Sequence, residues 1–309
     1  MREELFRQTV QKLQKKGFVV STFFEFKSCF DVAAKNNEFF FVIKILENAD
    51  SLREESAEEL KKVATVFKAV PLLIAEKTKA FLLLKGTAYE RYSIPLLSIE
   101  TFEQLLEKTG LVSQSFKGRE LVQLDSKLLK NRRENKGWSM QELGKKIGVS
   151  AETIHRYEKG KKAEKKHAEK LEQKLGEGIV QPIGILATKA KGTVFFENHF
   201  PDSALEKIHS LGMEMALFEH APFKAFGKPQ EPFLINLGRE KKELQRKALV
   251  LEKTKTVFKG HSVVISKEYK IKSIRHTPVF QEEELDSYTK IQQLLEEIKN
   301  REKMANKKK

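Results

Sequence analysis

The residues best suited to reading a nucleic acid lie together in the run SMQELGKKIGVSAETIHRYEKGKK, which begins at Ser139. Ser139 can accept a hydrogen bond from the first turn of a helix while Glu142, three residues on, returns one to the Ser139 amide; Ser150 can cap a further helix in the same way. Between them, Gly148-Val149-Ser150 supplies a tight turn. Arg156 can donate two hydrogen bonds to guanine or hold a phosphate. Thr153 can meet a phosphate oxygen or a thymine methyl group, and Glu152 can accept from cytosine N4 or repel other bases. With Ala151 and His155 they form one candidate reading face. Ser139, Met140 and Ser150 border it, and Lys136, Lys145, Lys146, Lys159, Lys161 and Lys162 form a rim suited to phosphate.

Three elements must position these groups. A bracing helix is expected over about 125–136, with Leu128 and Leu129 inward and Gly137 ending it. A second helix follows the Ser139 cap, with Leu143 and Ile147 facing the core. Gly144 lets a neighbour approach closely, because it has no side chain. Val149 plugs the turn, and Ile154 and Tyr157 anchor the third helix, leaving its other face free for the major groove. A last helical stretch runs to about Leu175, stopped by Gly176 and Gly178. Trp138 reads as a half-buried packing residue. His155 has no Cys or His partner at helical spacing, so it is no metal ligand, and His167 is too far along to pair with it.

The flanks read as α/β. Helical spacing is expected from Glu4 to about Lys15 and from Ser56 to Phe67, and a helix closes the segment at Ile99 to Glu107. Strands are expected at Phe18 to Phe24, around Phe30 to Ala34, and at Phe39 to Leu46, Val70 to Ala75 and Ala80 to Leu84. The C-terminal third repeats this plan. CFDVAAKNNEFFFVI from Cys29 can be laid on PFKAFGKPQEPFLIN from Pro222, and Thr-Val-Phe-Lys occurs at Thr65 to Lys68 and again at Thr256 to Lys259. The same order at a nearly constant offset points to an internal duplication.

Composition sets outer limits. The chain holds 58 Lys and Arg against 43 Asp and Glu, for a formal charge of +15, which favours a polyanionic partner. Surface ion networks of the thermophilic kind would also use many Lys and Glu. A single cysteine, Cys29, excludes an intrachain disulfide and fits a reducing compartment. No uninterrupted apolar stretch approaches membrane-spanning length, and the N-terminus lacks a signal-peptide core. A cytoplasmic location is therefore expected. Glycine-rich nucleotide loops, Cys/His zinc arrays and a legible Ser/His/Asp triad are absent from the sequence, so no cofactor is expected.

The central run resembles the helix-turn-helix domain of the phage lambda repressor and Cro type over about 50 residues from Leu128. It departs where that family usually has Gln after the cap serine and Ala before the paired basic positions; here these are Met140 and Gly144. The first segment resembles the restriction-endonuclease-like superfamily, especially archaeal Holliday-junction resolvases. That resemblance implies an Asp on one strand and an acidic-x-Lys motif on the next, binding Mg²⁺. Asp31 in FDVAAK matches the Asp and Lys44 in FVIKI the Lys, but Val42 stands at the acidic position. By the duplication offset, Lys224 replaces Asp31, Asn236 follows the missing acid, and Leu237 replaces Lys44. With SCFDVAAK, KILENADSL, PLLIAEKT and YERYSIPLLSIETFEQLL, nearly the whole chain is similar to the archaeal family of helix-turn-helix transcriptional regulators with flanking nuclease-like domains.

The expected architecture is multidomain α/β plus all-α. A nuclease-like domain at 1–112 precedes a helix-turn-helix domain at 113–178 and a linker at 179–196; a second, degenerate nuclease-like domain at 197–299 and a basic tail at 300–309 follow. The expected function is sequence-preferring binding of duplex DNA by a transcriptional regulator that is not an enzyme. It reads the major groove with the helix at about 150–158, as a possible homodimer, with a possible partner in the transcription machinery and no membrane contact. The alternatives are a metal-dependent, structure-selective nuclease of resolvase type and a protein-interaction scaffold.

Overall fold

The computed structural model describes residues 2–107, 113–116, 119–181, 194–228 and 233–307. The first segment runs α1 (Arg2–Lys15), β1 (Val19–Thr22), β2 (Val32–Lys35), β3 (Phe40–Asn48), α2 (Glu54–Val66), β4 (Val70–Lys77), β5 (Thr87–Arg91), β6 (Ile94–Leu97) and α3 (Ile99–Glu107). The middle runs β7 (Ser113–Phe116), β8 (Arg119–Leu124), α4 (Ser126–Asn135), α5 (Met140–Ile147), α6 (Ala151–Glu158), β9 (Ala163–Glu164), α7 (Lys165–Leu175) and β10 (Val180–Gln181). The last third runs α8 (Ser203–Ser210), β11 (Met215–Leu217), β12 (Ala225–Gly227), β13 (Phe233–Gly238), α9 (Lys241–Phe258), β14 (His261–Ser266), β15 (Ser273–Ile274), β16 (Thr277–Gln281) and α10 (Ile291–Lys307). The chain divides into two compact units, and neither is one uninterrupted stretch. One comprises Met1–Gln8, Leu46–Ser51 and Leu72–Thr188; the other comprises Thr9–Ile45, Leu52–Pro71 and Lys189–Lys309.

In the first of these units, β6 pairs in parallel with β4 and antiparallel with β5, and β5 pairs in parallel with β7 (Thr87 opposite Ser113). β7 and β8 form a hairpin, and β8 also pairs with β9 and with β10. The helical module is thus joined to the sheet by strand pairing at its entry, middle and exit. Its own core gathers Leu129, Leu143, Ile147, Ile154, Tyr157, Leu171 and Leu175 around Val122 and Leu124 of β8. The expected strand at Ala80 to Leu84 is instead a turn, with Thr78 N–H donating to Phe81 O at 2.8 Å and one bridge from Lys77 to Leu82.

In the second unit, β1, β2 and β3 form an antiparallel meander, as do β11, β12 and β13. β13 continues in parallel to β14 and β14 to β16, with β15 antiparallel to β16. Apolar residues on one face of α8 and of α10 cover the second sheet: Ala204, Leu205 and Ile208 from α8, and Ile291, Leu294 and Ile298 from α10. Within this unit α9 lies against β1 and β2 as well as β13 and β14. Phe67 and Phe258 meet at 4.2 Å between ring centroids, Phe30 meets Phe258 at 6.1 Å, and Phe67 meets Phe223 at 5.8 Å. Two hydrogen bonds cross the same contact, from Lys62 Nζ to Leu217 O and from Ser21 Oγ to Lys253 O, at 2.9 and 2.6 Å.

Two expected irregular segments change. α10 runs on to Lys307, through most of the expected basic tail, where Arg301 donates to Val279 O and Glu284 and Glu302 accepts from Lys255 Nζ. Of the expected linker, Val180–Gln181 is strand on β8, while residues 182–193 lie outside the described residues.

Candidate nucleic-acid interface

Asp125 caps α4 through Leu128 N–H. Arg133, four residues after Leu129, shares its inward stripe and is buried. It donates twice to Glu158, at 2.6 Å from Nε and 3.1 Å from Nη2, and once to Trp138 O at 2.8 Å. The bond to Glu158 holds the Arg133 guanidinium above its ordinary pKa. One residue thereby ties the brace, the approach to α5 and the end of α6. Neither Arg133 nor Glu158 stands among the sequence-derived site residues, although a signal existed: both fall four residues after a core anchor, Leu129 and Ile154.

The reciprocal cap of α5 is present. Ser139 Oγ accepts from Glu142 N–H, and Glu142 Oε2 accepts from Ser139 N–H at 2.7 Å, which holds the Glu142 carboxyl below its usual range. Gly148 ends α5 at φ +83°, a left-handed conformation that suits glycine. At Gly144 an added Cβ would lie 2.6 Å from Val149 O, so the turn packs more tightly than an alanine permits.

Ser150 caps α6 at Thr153 N–H. With Ile154 and Tyr157 buried, Glu152, His155 and Arg156 are exposed, and Ala151 and Thr153 are half-buried. Ser150 Oγ lies 3.0 Å from Thr153 Oγ1, which accepts from Arg156 Nη2 at 3.3 Å. Lys136, Lys145, Lys146, Lys159, Lys161 and Lys162 are all exposed. The ammonium groups of Lys136 and Lys146 stand 5.4 and 4.6 Å from the Trp138 centroid, and Lys162 donates to Gln114 of β7. Met140 is half-buried and packs against the module's core. His167 contacts the Tyr157 hydroxyl through Nδ1 at 3.0 Å; burial lowers the imidazole pKa and raises that of the phenol.

The second constellation lies on β2 and β3. Asp31 is fully buried; its Oδ2 accepts from Ile45 N–H at 2.8 Å and its Oδ1 from Lys44 Nζ at 3.2 Å. Lys44 also donates to Ser28 O at 2.7 Å. Val42 is buried and brings no oxygen, and no group of three or more His, Cys, Asp or Glu suited to a metal occurs among the described residues. This donor set does not fit Mg²⁺, which needs several oxygens around it. In the last third, Lys224 N–H donates to Ile235 O as Asp31 N–H donates to Ile43 O. The strand register puts Asn236, not Leu237, level with Lys44, because Val32 pairs with Ile43 whereas Ala225 pairs with Ile235, a connection one residue shorter. Asn236 Nδ2 donates to Pro222 O at 3.1 Å, much as Lys44 donates to Ser28 O.

A protein of Methanocaldococcus jannaschii named "Putative HTH-type transcriptional regulatory protein" is 30% identical to this chain over 97% of both chains. The chain belongs to this archaeal family of HTH-type transcriptional regulatory proteins. Members from Pyrococcus horikoshii and Pyrococcus abyssi are 31% and 30% identical, covering 88% and 96% of this chain and 89% and 97% of their own. Residues 129–180 match the helix-turn-helix model, and residues 2–110 match a PD-(D/E)XK superfamily domain. The second match overturns the expectation that this family member is not an enzyme: a domain of a nuclease superfamily brings a potential catalytic capacity. No solved structure matches the chain. Among the described residues no helix is long and apolar enough to cross a membrane.

Proposed function

We propose that this regulator binds duplex DNA with sequence preference, inserting α6 into the major groove. The observation that carries the reading is the chain of contacts from Ser150 through Thr153 to Arg156 on a capped helix whose opposite face is buried. Arg156 is held in reach of a base edge, and Glu152 and His155 flank it. Ser139, Met140, Ser150 and Ala151 border the groove, and the six rim lysines meet phosphate. Selection from a randomised duplex pool with the full chain tests this. Arg156→Ala is expected to weaken the selected site by about 1–3 kcal/mol more than an unrelated duplex. Equal losses on both would make Arg156 a phosphate contact, and no enrichment of any duplex would refute the reading.

We further infer that residues 197–299 are a second copy of the fold at 1–112. Support comes from the repeated meander, the following helix, and the last strand pairing parallel to the first of its trio and antiparallel to the second. The paired Phe67 and Phe258 occupy matching places in the two Thr-Val-Phe-Lys runs, and Phe30–Phe258 is mirrored by Phe223–Phe67. Such reciprocity is the signature of two-fold packing. The nuclease alternative rests on the superfamily match and on Asp31 and Lys44. Incubation with linear and four-way-junction DNA in Mg²⁺ and in Mn²⁺ tests it; cleavage lost in both Asp31→Asn and Lys44→Ala would assign the capacity to that pair.

A further inference from the structure

We propose that one face of α9, carrying Lys242, Arg246 and Lys253 beside Phe26, is a separate contact for the phosphate backbone of duplex DNA. The three cations are spaced by four and seven residues, which places them on one stripe about 16 Å long at 1.5 Å per residue. Arg246 Cζ and Lys253 Nζ stand 5.5 and 5.4 Å from the Phe26 centroid. One ring therefore holds two cations in place, which lowers the entropy lost when they meet a ligand. The ring is engaged by charge, so the face suits phosphates rather than a stacked base.

Two comparisons within the molecule bear on the charge of this stripe. None of its three cations has a carboxylate partner within 4.0 Å among the described residues, unlike Lys207, Lys247, Lys255, Lys267 and Arg301 of the same unit. Lys299 and Lys303 of α10 have no such partner either, but of all these cations only Arg246 and Lys253 share a ring, that of Phe26. The second comparison rests on the proposed duplication. Aligning Phe67 with Phe258 sets Arg246 level with Glu55 of α2 and Lys253 level with Lys62, which is within 3.9 Å of Glu197. At these two positions the helical face is thus basic and unneutralised in α9, and acidic or paired in α2. Duplex DNA, with one charge per about 1.7 Å of axis, is the polyanion that a row of this length complements.

The test measures binding of the full chain to a selected and an unrelated duplex across a salt series. Each phosphate contact contributes about 0.9 to the slope of log affinity against log salt. Arg246→Gln with Lys253→Gln is expected to lower the slope by about 1.8 on both duplexes. Lys242→Gln alone, at an exposed position, should lower it by about 0.9. The charge-preserving pair Arg246→Lys and Lys253→Arg should keep it. Lys299→Gln with Lys303→Gln, exposed cations of α10, serves as the control for net charge. An unchanged slope in the α9 variants, an equal fall in the α10 control, or binding of an acidic protein but not DNA overturns the proposal. Failure of the α6 reading is separately visible, as an Arg156→Ala variant that keeps its sequence preference while the α9 variants still change the slope.

Discussion

Arg133 carries a full charge into the core of the helix-turn-helix module, where only 8% of its side chain and 4% of that of Glu158 are exposed. Breaking such a pair from one side leaves the other charge buried without a partner. Arg133→Ala or Glu158→Ala is therefore expected to cost about 3–5 kcal/mol in chemical denaturation, whereas the double replacement Arg133→Met with Glu158→Leu should cost much less. Asp31 is in a similar position: Asp31→Ala removes the carboxylate that accepts from the Lys44 ammonium and the Ile45 amide, and should cost about 3 kcal/mol or more whatever the domain's catalytic capacity. His167 gives a pH signature. Burial sets its folded pKa below the ordinary 6.5, so the stability it contributes is complete above that value. It is lost as pH falls from there through the depressed folded value. The melting temperature should drop between pH 7 and pH 5, and less so in His167→Gln. At this scale the caps and anchors were legible because each rests on local chemistry: Ser139 with Glu142, Ser150, Ile154. The Arg133–Glu158 pair was not singled out, since it joins residues 25 apart in the chain.

Between α5 and α6 the turn leaves no room for a methyl group at Gly144. Gly144→Ala, although alanine is common there in the lambda and Cro type, should destabilise by about 1–3 kcal/mol and weaken the selected site by moving α6. The hairpin joining β5 to β6 shows the opposite economy. Tyr92 and Ser93 both take positive φ, at 50° and 60°, in a two-residue turn that ordinarily calls for Asn-Gly. The lack of that signal, together with Pro95 inside β6, hid both strands from sequence reading. In the hairpin between β15 and β16, Arg275 has φ 51°. Replacing Tyr92-Ser93 by Asn-Gly should stabilise the chain by about 1 kcal/mol or more, read as a shift in denaturation midpoint. The helices of the module were legible because their caps and periodicity agree. The pairing of β7 with β5 was not, since nothing in either strand names its partner.

For the molecule as a whole, the contact centred on Phe67 and Phe258 is made inside one chain. The homodimer expected from the sequence would consequently use another face. Phe258→Ala should cost about 3–5 kcal/mol without changing the mass seen by light scattering. The two Thr-Val-Phe-Lys runs that hold these rings were visible in the sequence. That the two runs meet was not visible, because packing partners are not encoded by similarity. The attachment of the helix-turn-helix module has a further consequence. Leu124 lies opposite Val180 on neighbouring strands, and Asp125 N–H donates to Ile179 O at 2.8 Å, so the chain leaves for the module and returns at adjacent points. A segment whose two ends meet this closely behaves as a cassette: it can be exchanged without altering the span its host must bridge. Transplanting residues 125–179 from a relative between Leu124 and Val180 should leave the rest of the chain folded and, on the proposed function, carry over that relative's duplex preference, read by selection from a randomised duplex pool.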